Sequence, residues 1–587
     1  MKHNMKSLSA RLDRDVVMEM RDGIKLRADI YRPADRRKHP AILIRTPYNK
    51  VCNAWHHNSF LHFIDATSTG YVVVIQDVRG RFASEGQWSG SDIFQHEGED
   101  GYDSVEWIAA QPWCDGNVGM AGISALAGLQ WMTAMENPPH LKAIAPGCGG
   151  LANIGLGMQP RRGSGVASPA VLLSSIPGNA LEVAARLERE GKDAQQMRRD
   201  IAWVQSDPER AVYHLPLKDL PILRYEFLRN TWDRLTRPVS QAEQFSREKY
   251  ERVTVPCLHQ VGWYDGLEWA VIESYVNMRR RGGSALSKQC QHLIVGPWWH
   301  TEWGNFLGAL NFGPTASLAG GMISQSNLAF YDRYLRGVDT KLPAVRYFLM
   351  GANIWCESDE WPLAETQWQR FYLHSRGHAN TSNGDGTLSR EEPQSESPDQ
   401  FCYDPLIPVP SVGGRFFGTG LVPGPLDQSR IESRHDVLCY STPVLESELE
   451  ITGPLELRLY AATSATDTDF TAKLVDVYPD GTAYNLAEGI RRASRIQAVE
   501  KISPIIPGKI YEYVIPLGET SQLFRKGHRV RLEISSSNFP MFDRNMNTGR
   551  AIGEDALGVI AFQTIYHQSE YASYLELPVI LSSSVTR

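Results

Sequence analysis

The sequence lacks any uninterrupted apolar stretch of about 18 residues, the length that a membrane-spanning helix requires, so no membrane span is predicted. Residues 1–26, MKHNMKSLSARLDRDVVMEMRDGIKL, carry charges every few positions and lack the apolar centre of a signal peptide. A cytoplasmic location is therefore expected. The net charge of −7 over 587 residues provides no basic excess, which argues against nucleic acid or an anionic membrane as a partner.

Signatures of cofactors and metals are also missing. The eight cysteines are scattered without CxxC pairs, and in a large chain without an export signal we expect them to be buried free thiols. No His/Cys/Asp cluster has the spacing of metal ligands. There is neither a phosphate-binding glycine loop nor a dinucleotide fingerprint. The sequence therefore predicts no metal and no cofactor.

What the sequence does contain is a rhythm of short, continuous apolar runs. They lie at residues 41–44, 71–75, 118–123 and 141–145, and a stretch with helical spacing at 103–110 separates two of them. Continuous runs are typical of parallel strands whose sheet is covered on both faces. The rhythm returns at 256–261 and 292–295. It predicts an α/β fold with a doubly wound sheet.

Between these two parts, residues 151–252 show no strand-like run. Residues 181–190 are rich in helix formers, and Met197, Ile201 and Val204 have the spacing of one apolar helical face. We expect an inserted helical cap here. It divides the α/β domain into a first part at 1–150 and a second part at 253–355.

The remainder of the chain, residues 356–587, follows a period of two. Leu455, Leu457 and Leu459 alternate with more polar residues. Val530, Leu532 and Ile534 alternate with Arg531 and Glu533. This pattern predicts strands with one buried and one wet face. Many such segments separated by turn residues indicate an all-β sandwich or jelly roll.

The strongest chemical signal is the segment VGMAGISALAG at residues 118–128, where an apolar strand ends in a Gly-x-Ser turn. A nucleophile elbow places its serine on a sharp strand-to-helix turn with small neighbours, and the helix N-terminus then offers N–H groups to an oxyanion. Gly-x-Ser after a strand is nevertheless common, and Leu126 occupies the last position of Gly-x-Ser-x-Gly. By itself the motif fits a nucleophile at Ser124 or a structural turn.

A serine nucleophile needs a base, and the base needs an orienting acid. In α/β-hydrolases the chain order is Ser, Asp or Glu, then His, each just past a strand. Asp265 in GWYDG and His300 in VGPWWH fit that order. Each also has a structural interpretation, Asp265 as a helix N-cap and His300 as a loop residue. The three together favour a triad with Ser124 as nucleophile, His300 as general base and Asp265 as orienting residue.

Tyr48 lies in RTPYNK, directly after the run at 41–44. A loop in this position usually supplies the second oxyanion donor of an α/β-hydrolase, and a phenolic hydroxyl can serve as that donor. The alternative is a tyrosine packed against the domain edge. The local residues alone favour the packing role.

The chain resembles a known family, the cocaine esterase family of bacterial serine hydrolases, which is related to the Xaa-Pro dipeptidyl-peptidases. The resemblance covers nearly the whole chain and is weakest in the cap. It is carried by RPADRRKHPAILIRTPYNK, VIQDVRGRFASEG, QPWCDGNVGMAGIS, GWYDG, VGPWWH, TDTDFTAKLVDVYPDG and GHRVRLEISSSNFPMFDRN.

The resemblance implies three domains: a catalytic α/β-hydrolase, a helical cap and a C-terminal jelly roll. It also implies that the nucleophile, acid and base are Ser124, Asp265 and His300. The oxyanion hole that it implies consists of the Tyr48 hydroxyl and the backbone N–H of Ala125. The resemblance therefore favours a catalytic role for Tyr48, whereas the local residues alone favour packing.

The chain departs from the family around the nucleophile. The family's elbow usually reads Gly-x-Ser-Tyr-x-Gly, whereas here Ala125 replaces the tyrosine and Ala127 the last glycine. Leu267 stands where the cocaine-cleaving member has an aromatic residue. Because the oxyanion donor is a backbone N–H, alanine can still provide it. The departures therefore bear on substrate range rather than on the reaction, and cocaine is not inferred as the substrate.

The sequence thus predicts a serine hydrolase that cleaves a carboxylic ester or an amide of a small-molecule acyl substrate through an acyl-enzyme. An acyltransferase or a peptidase with the same triad is the alternative within enzymes. An inactive binding or scaffold protein is the alternative of another class, supported only by the altered elbow. A homodimer is expected by family analogy alone.

Overall fold

The computed structural model describes residues 10–51, 60–88, 96–153, 168–236, 247–415, 421–497 and 501–581. Within these residues the chain forms a mixed sheet of ten strands, a pair of very short strands and a second large sheet of eleven strands. Helices accompany the first sheet, and the second is built almost entirely from β-structure.

The ten-stranded sheet has the order β1-β2-β4-β3-β5-β6-β7-β8-β11-β12, and β9 and β10 form the separate pair. Strands β3 to β8 and β11 pair in parallel, whereas β1, β2 and β12 pair antiparallel to their neighbours. The strands are β1 (Ala10–Glu19), β2 (Lys25–Pro33), β3 (His39–Thr46), β4 (Val72–Asp77), β5 (Cys114–Ile123), β6 (Leu141–Gly147), β7 (Cys257–Gly262), β8 (Gln291–Gly296), β9 (Phe306–Leu307), β10 (Leu310–Asn311), β11 (Val345–Leu349) and β12 (Ile354–Ser358).

The six predicted apolar runs lie in β3 to β8, and their assignment as strands is confirmed. The residues of β3, β4, β7 and β8 are buried throughout, which explains the continuous apolar pattern. The helices that accompany the chain are α1 (Phe63–Ser68), α2 (Glu97–Ala109), α3 (Ala125–Met135), α4 (Pro169–Arg189), α5 (Gln195–Ser206), α6 (Pro208–Tyr213), α7 (Glu226–Thr236), α8 (Arg247–Glu251), α9 (Glu268–Arg281), α10 (Ala285–Gln289) and α11 (Ile323–Arg336).

Helices α4 to α7 lie between β6 and β7 in the chain, where the sequence predicts helices. The predicted apolar face of α5 is confirmed, because Met197, Ile201 and Val204 are buried in one cluster with residues of the other helices. That cluster also contains Phe539 of the C-terminal unit, the part of the chain at 367–580 that carries the second sheet, so these helices pack against that unit. Arg544 Nη2 adds a hydrogen bond of 2.8 Å to the carbonyl oxygen of Tyr213.

The second sheet has the order β15-β22-β17-β23-β13-β14-β16-β21-β18-β19, with β20 paired to β17. All of its ladders are antiparallel except the single pair between β14 and β16. Its strands are β13 (Gln367–His374), β14 (Thr387–Ser389), β15 (Asp399–Tyr403), β16 (Leu438–Ser441), β17 (Leu449–Thr463), β18 (Asp469–Val477), β19 (Ala483–Arg492), β20 (Tyr511–Phe524), β21 (Arg529–Ser535), β22 (Ala561–Tyr566) and β23 (Tyr574–Ile580).

One feature of β21 differs from the prediction. Val530, Leu532 and Ile534 are buried as expected, but Arg531 and Glu533 on the opposite face are also only 9% and 4% exposed. Arg531 pairs with the buried Glu432, and Lys473 Nζ of β18 lies 3.3 Å from Glu533. The face predicted to be wet is therefore covered, and its charges are neutralised by ion pairs rather than by water.

The cysteines partly follow the prediction. The seven in the described residues are free, and Cys114, Cys148, Cys257, Cys356 and Cys439 are buried. Cys402 is exposed and Cys290 is half-buried, so the expectation of buried thiols is wrong for these two. Cys52 lies outside the described residues. No helix in the described part of the chain is both long enough and apolar enough to cross a membrane.

Candidate active site

The predicted site residues meet at one edge of the ten-stranded sheet. Tyr48 follows β3, Ser124 follows β5, Asp265 follows β7 and His300 follows β8. These strands belong to one run of parallel strands, β3-β5-β6-β7-β8, so their carboxyl ends lie at the same edge. Ligands of α/β sheets bind in the crevice at that edge. Topology alone therefore brings together residues that are far apart in the chain.

Ser124 lies on a strained strand-to-helix turn between β5 and α3. Its backbone angles are φ 58° and ψ −122°, a combination that residues with a side chain rarely adopt. The turn is held by a 2.8 Å hydrogen bond from the Ser124 N–H to the carbonyl oxygen of Gly147. Gly122 has φ +133°, and a Cβ at this position would lie 2.6 Å from Cβ of Leu126. The elbow therefore requires glycine there, as the sequence indicates.

The methyl group of Ala127, where the family has glycine, is fully buried. Space for it comes from a glycine on the neighbouring loop, because a Cβ at Gly149 would lie only 3.0 Å from the Ala127 Cβ. The alanine at position 127 therefore fits into the packing around it, and the strand-to-helix turn at Ser124 is kept.

Ser124, His300 and Asp265 form a continuous hydrogen-bonded chain. The Ser124 Oγ lies 2.8 Å from Nε2 of His300. Nδ1 of His300 lies 3.1 Å and 3.0 Å from the two carboxylate oxygens of Asp265. Asp265 is fully buried and His300 is 3% exposed, whereas Ser124 is half-buried. The structure therefore brings the three predicted residues into the arrangement that lets imidazole accept a serine proton.

The structural interpretation of Asp265 as a helix N-cap is not supported. Helix α9 begins at Glu268, and the position preceding it is Leu267. The Asp265 carboxylate instead accepts a hydrogen bond of 2.8 Å from the N–H of Leu267. That bond fixes one carboxylate oxygen within its own loop and leaves the group directed at His300.

The two predicted oxyanion donors occupy suitable elements. Ala125 is the first residue of α3, where the N–H groups of a helix have no partner within the helix. Tyr48 is half-buried against the apolar cluster that contains Ile44 and Ile123. Burial raises the pKa of Tyr48 above its ordinary value, and the nearby Arg81 guanidinium opposes that rise only in part. The phenol is therefore protonated and can donate a hydrogen bond.

Arg81 supports the loop that carries Tyr48, and its sequence context does not predict this role. Its Nε donates a hydrogen bond of 2.9 Å to the carbonyl oxygen of Pro47. Its guanidinium lies 4.1 Å from the ring centroid of Trp88 and pairs at 2.7 Å with Glu182 of α4. Arg81 thus links the Tyr48 loop to the helices between β6 and β7.

Two further residues missed by sequence reasoning adjoin Asp265. Sγ of Cys148, directly after β6, lies within 4.8 Å of a carboxylate oxygen of Asp265. Arg415 donates from Nε to the carbonyl oxygen of Trp263 at 2.9 Å. Neither lies in a catalytic motif, and both reach the site only through the tertiary fold.

The only metal-like grouping within the described residues consists of Cys148, Asp265 and His300, whose ligand atoms lie within 4.8 Å of one another. It coincides with the hydrogen-bonded chain described above. The imidazole nitrogens of His300 already face Asp265 and Ser124, so the residues present are arranged for proton transfer rather than for coordination.

Two family models and one curated relative match most of the chain. Residues 22–302 match the family model of the X-Pro dipeptidyl-peptidase (S15 family), and residues 336–576 match that of the X-Pro dipeptidyl-peptidase C-terminal non-catalytic domain. A cocaine esterase of Rhodococcus sp. (strain MB1 Bresler) is 38% identical over 96% of this chain and 98% of its own.

Solved structures share the fold over almost the full length. An aminopeptidase from a marine sediment Thaumarchaeota archaeon has a TM-score of 0.75 at 23% identity, covering 99% of this chain and 98% of its own. An α-amino acid ester hydrolase has a TM-score of 0.69 at 23% identity with the same coverage. From the extent of these matches, the chain belongs to the cocaine esterase family of serine hydrolases, which act on ester or amide bonds, and combines an S15-type catalytic domain with a large non-catalytic β domain.

Proposed function

We propose that this chain cleaves a carboxylic ester or an amide of a small molecule through an acyl-enzyme formed on Ser124. The observation that carries the proposal is the continuous hydrogen-bonded chain Ser124–His300–Asp265 at the carboxyl edge of the parallel sheet. Such a chain activates a serine hydroxyl that is otherwise a weak nucleophile at neutral pH.

In the proposed mechanism Ser124 Oγ attacks the substrate carbonyl carbon while Nε2 of His300 accepts the hydroxyl proton. The tetrahedral intermediate then collapses, the bond to the leaving group breaks, and His300 gives the proton to that group. Water, deprotonated by His300, attacks the acyl carbon of the resulting acyl-enzyme. The bond to Ser124 Oγ then breaks, Ser124 takes the proton back from His300, and the acid is released. Asp265 keeps the imidazole in the tautomer with its proton on Nδ1 and stabilises the imidazolium.

The oxyanion of each tetrahedral intermediate is proposed to be bound by the Tyr48 hydroxyl and the Ala125 N–H. The protonated state of Tyr48 supports this role, as does the location of Ala125 at the start of α3, where the helix dipole favours negative charge. Preorganised donors of this kind are worth about 10²–10³ in rate each.

The proposed architecture places the catalytic domain at 1–150 and 253–355, a helical cap at 151–252 and a jelly roll at 356–587. Helices α4 to α7 support the cap, because they share a core and contact the C-terminal unit through Phe539. The antiparallel ladders of the second sheet support the jelly roll.

The relatives are described as a cocaine esterase, an α-amino acid ester hydrolase and an aminopeptidase. For this chain we propose a carboxylic ester, with a substrate range distinct from that of the cocaine-cleaving relative. Ala125, directly after the nucleophile, and the buried Leu267, whose N–H contacts Asp265, support the difference, because both are smaller than the aromatic residues that they replace.

The proposal is tested with a panel of activated aryl esters, alkyl esters and simple amides, comparing the wild type with Ser124→Ala. Turnover by the wild type that is lost in the variant supports the triad. Added alcohols and amines separate hydrolysis from acyl transfer, since an acyltransferase yields the new ester or amide instead of the acid. A folded wild-type protein that turns over no member of the panel, with or without acceptors, contradicts the proposal.

A further inference from the structure

Two adjacent residues at the C-terminal end of β6, Gly147 and Cys148, adjoin Ser124 and Asp265. The carbonyl oxygen of Gly147 accepts a hydrogen bond of 2.8 Å from the N–H of Ser124. The next side chain, Cys148, is fully buried, and its Sγ lies within 4.8 Å of a carboxylate oxygen of Asp265. One dipeptide therefore adjoins both Ser124 and Asp265, although no motif of the reaction contains it.

The backbone of Cys148 is held in an unusual conformation. Its φ of 48° lies in the left-handed region, which residues other than glycine and asparagine seldom adopt. Its N–H donates a hydrogen bond of 2.7 Å to the carbonyl oxygen of Gln260 on β7, the strand that leads to Asp265. Strained residues of this kind persist where the surrounding structure fixes them, and they concentrate at functional sites.

The carboxylate of Asp265 needs donors because it is fully buried. Nδ1 of His300 contacts both of its oxygens, and the N–H of Leu267 contacts one. A carboxylate has about four acceptor sites, so the thiol of Cys148 fits as a further donor. Burial, reinforced by the adjacent Asp265, raises the pKa of the Cys148 thiol well above its ordinary value, so the sulfur keeps its proton.

We propose that Cys148 is a positioning residue, whose thiol donates a hydrogen bond to Asp265 and thereby holds the acid against His300. The proposal rests on the proposed function, since it assigns Cys148 a part in the same triad. It goes beyond the implied catalytic set, in which Cys148 has no role.

Removal of the Cys148 donor is expected to change the negative charge on the Asp265 carboxylate. A donor to Asp265 withdraws negative charge from the carboxylate, and its removal makes the protonated imidazole of His300 more stable. The general base then becomes available only at higher pH. Loss of one hydrogen bond to a charged group also loosens the acid, with an expected cost of about tenfold in kcat.

The test compares kcat, KM and the pH profile of kcat/KM for ester hydrolysis in the wild type, Cys148→Ala, Cys148→Gly and Cys148→Ser. Alanine and glycine remove the donor, and glycine also suits the left-handed backbone, which keeps the test available if the alanine variant fails to fold. We expect both to lower kcat about tenfold with KM unchanged, and to move the acid limb to higher pH. Serine restores a donor, so its acid limb is expected to return to or below that of the wild type.

Cys257→Ala is the matched control. Cys257 is likewise fully buried in the catalytic unit, but its Sγ faces the carbonyl oxygen of Val255 at 3.5 Å rather than Asp265. This variant is expected to lower Tm while leaving the pH profile in place. If the donor-free Cys148 variants keep the wild-type acid limb and kcat and only lose stability as Cys257→Ala does, Cys148 is a packing residue and the proposal is overturned.

The two proposals fail in different ways. Absence of Ser124-dependent turnover in the wild type overturns the proposed function and with it the role of Cys148. Ser124-dependent turnover with an unchanged profile in the Cys148 variants overturns the positioning role alone.

Discussion

Arg415 of the C-terminal unit donates a hydrogen bond of 2.9 Å from Nε to the carbonyl oxygen of Trp263, two residues before Asp265. The same guanidinium donates to the carbonyl oxygens of Leu517 and Glu519 on β20. The buried carboxylate of Glu268 lies 3.8 Å away. A single cation thus ties the loop that carries Asp265 to a strand of the other unit.

We predict that Arg415→Ala lowers kcat by about 10- to 100-fold, because small displacements of a catalytic group cost rates of this order. KM should change less, since the substrate carbonyl is bound by other residues. Arg525→Ala is the matched control, because Arg525 also crosses between the units but bonds to the carbonyl oxygen of Gly351 between β11 and β12. Equal losses of kcat in both variants would show that Arg415 acts only through general stability.

Tyr48→Phe removes the proposed side-chain oxyanion donor while keeping the ring that packs in the apolar cluster. We expect kcat for ester hydrolysis to fall by about 10²–10³ with little change in KM, because the lost interaction forms mainly in the transition state. Tyr31→Phe, in the same cluster, is the control and should retain activity. Retention of full activity by Tyr48→Phe would return Tyr48 to a packing role.

The C-terminal unit contains a buried charge network that makes its stability depend on pH. Nε2 of His567 lies 2.9 Å from Asp399 and Nδ1 lies 3.0 Å from Glu396. Burial disfavours the charge on His567, but the hydrogen bonds and charges of the two carboxylates outweigh it and raise its pKa above the ordinary 6.5. Because the pKa is raised in the folded state, the stabilisation is complete below the unfolded pKa and declines as pH rises through the folded pKa.

His567→Gln should therefore lower the free energy of unfolding by about 3 kcal/mol at acidic pH, since it leaves a buried carboxylate without its partner. Measured by thermal denaturation between about pH 5.5 and pH 9, the difference in Tm from the wild type should shrink as pH rises. His435→Gln, at an exposed position, controls for the loss of a histidine as such. A difference that stays constant over this range would contradict a charged His567.

Much of the candidate site was predictable because its signals are local. A buried parallel strand followed by a turn is visible in a short window, and Ser124, Asp265 and His300 each follow such a strand. The arrangement of these strands at one edge then follows from the topology of α/β sheets. The resemblance added Tyr48, which its own neighbours do not distinguish from a packing residue.

The residues that were missed depend on partners distant in sequence. Cys148 is 117 residues from Asp265, and its sequence context shows only a cysteine between glycines. Arg415 contacts the acid loop from another unit. The wet face expected for Arg531 was wrong for the same reason, because its partner Glu432 lies almost a hundred residues earlier. A period of two reports alternation along a strand and says nothing about what covers each face.

The central claim is that Ser124 is the nucleophile, and covalent labelling by a fluorophosphonate followed by intact-mass and peptide mass spectrometry tests it most directly. The chain offers an internal control in Ser375, whose Oγ lies 3.2 Å from His567 and 2.6 Å from Asp399 but which is buried, and the His567 imidazole already faces two carboxylates. We predict one adduct on the peptide containing Ser124, lost in Ser124→Ala and retained in Ser375→Ala. An unlabelled, folded wild-type protein, or an adduct that persists in Ser124→Ala, would contradict the account.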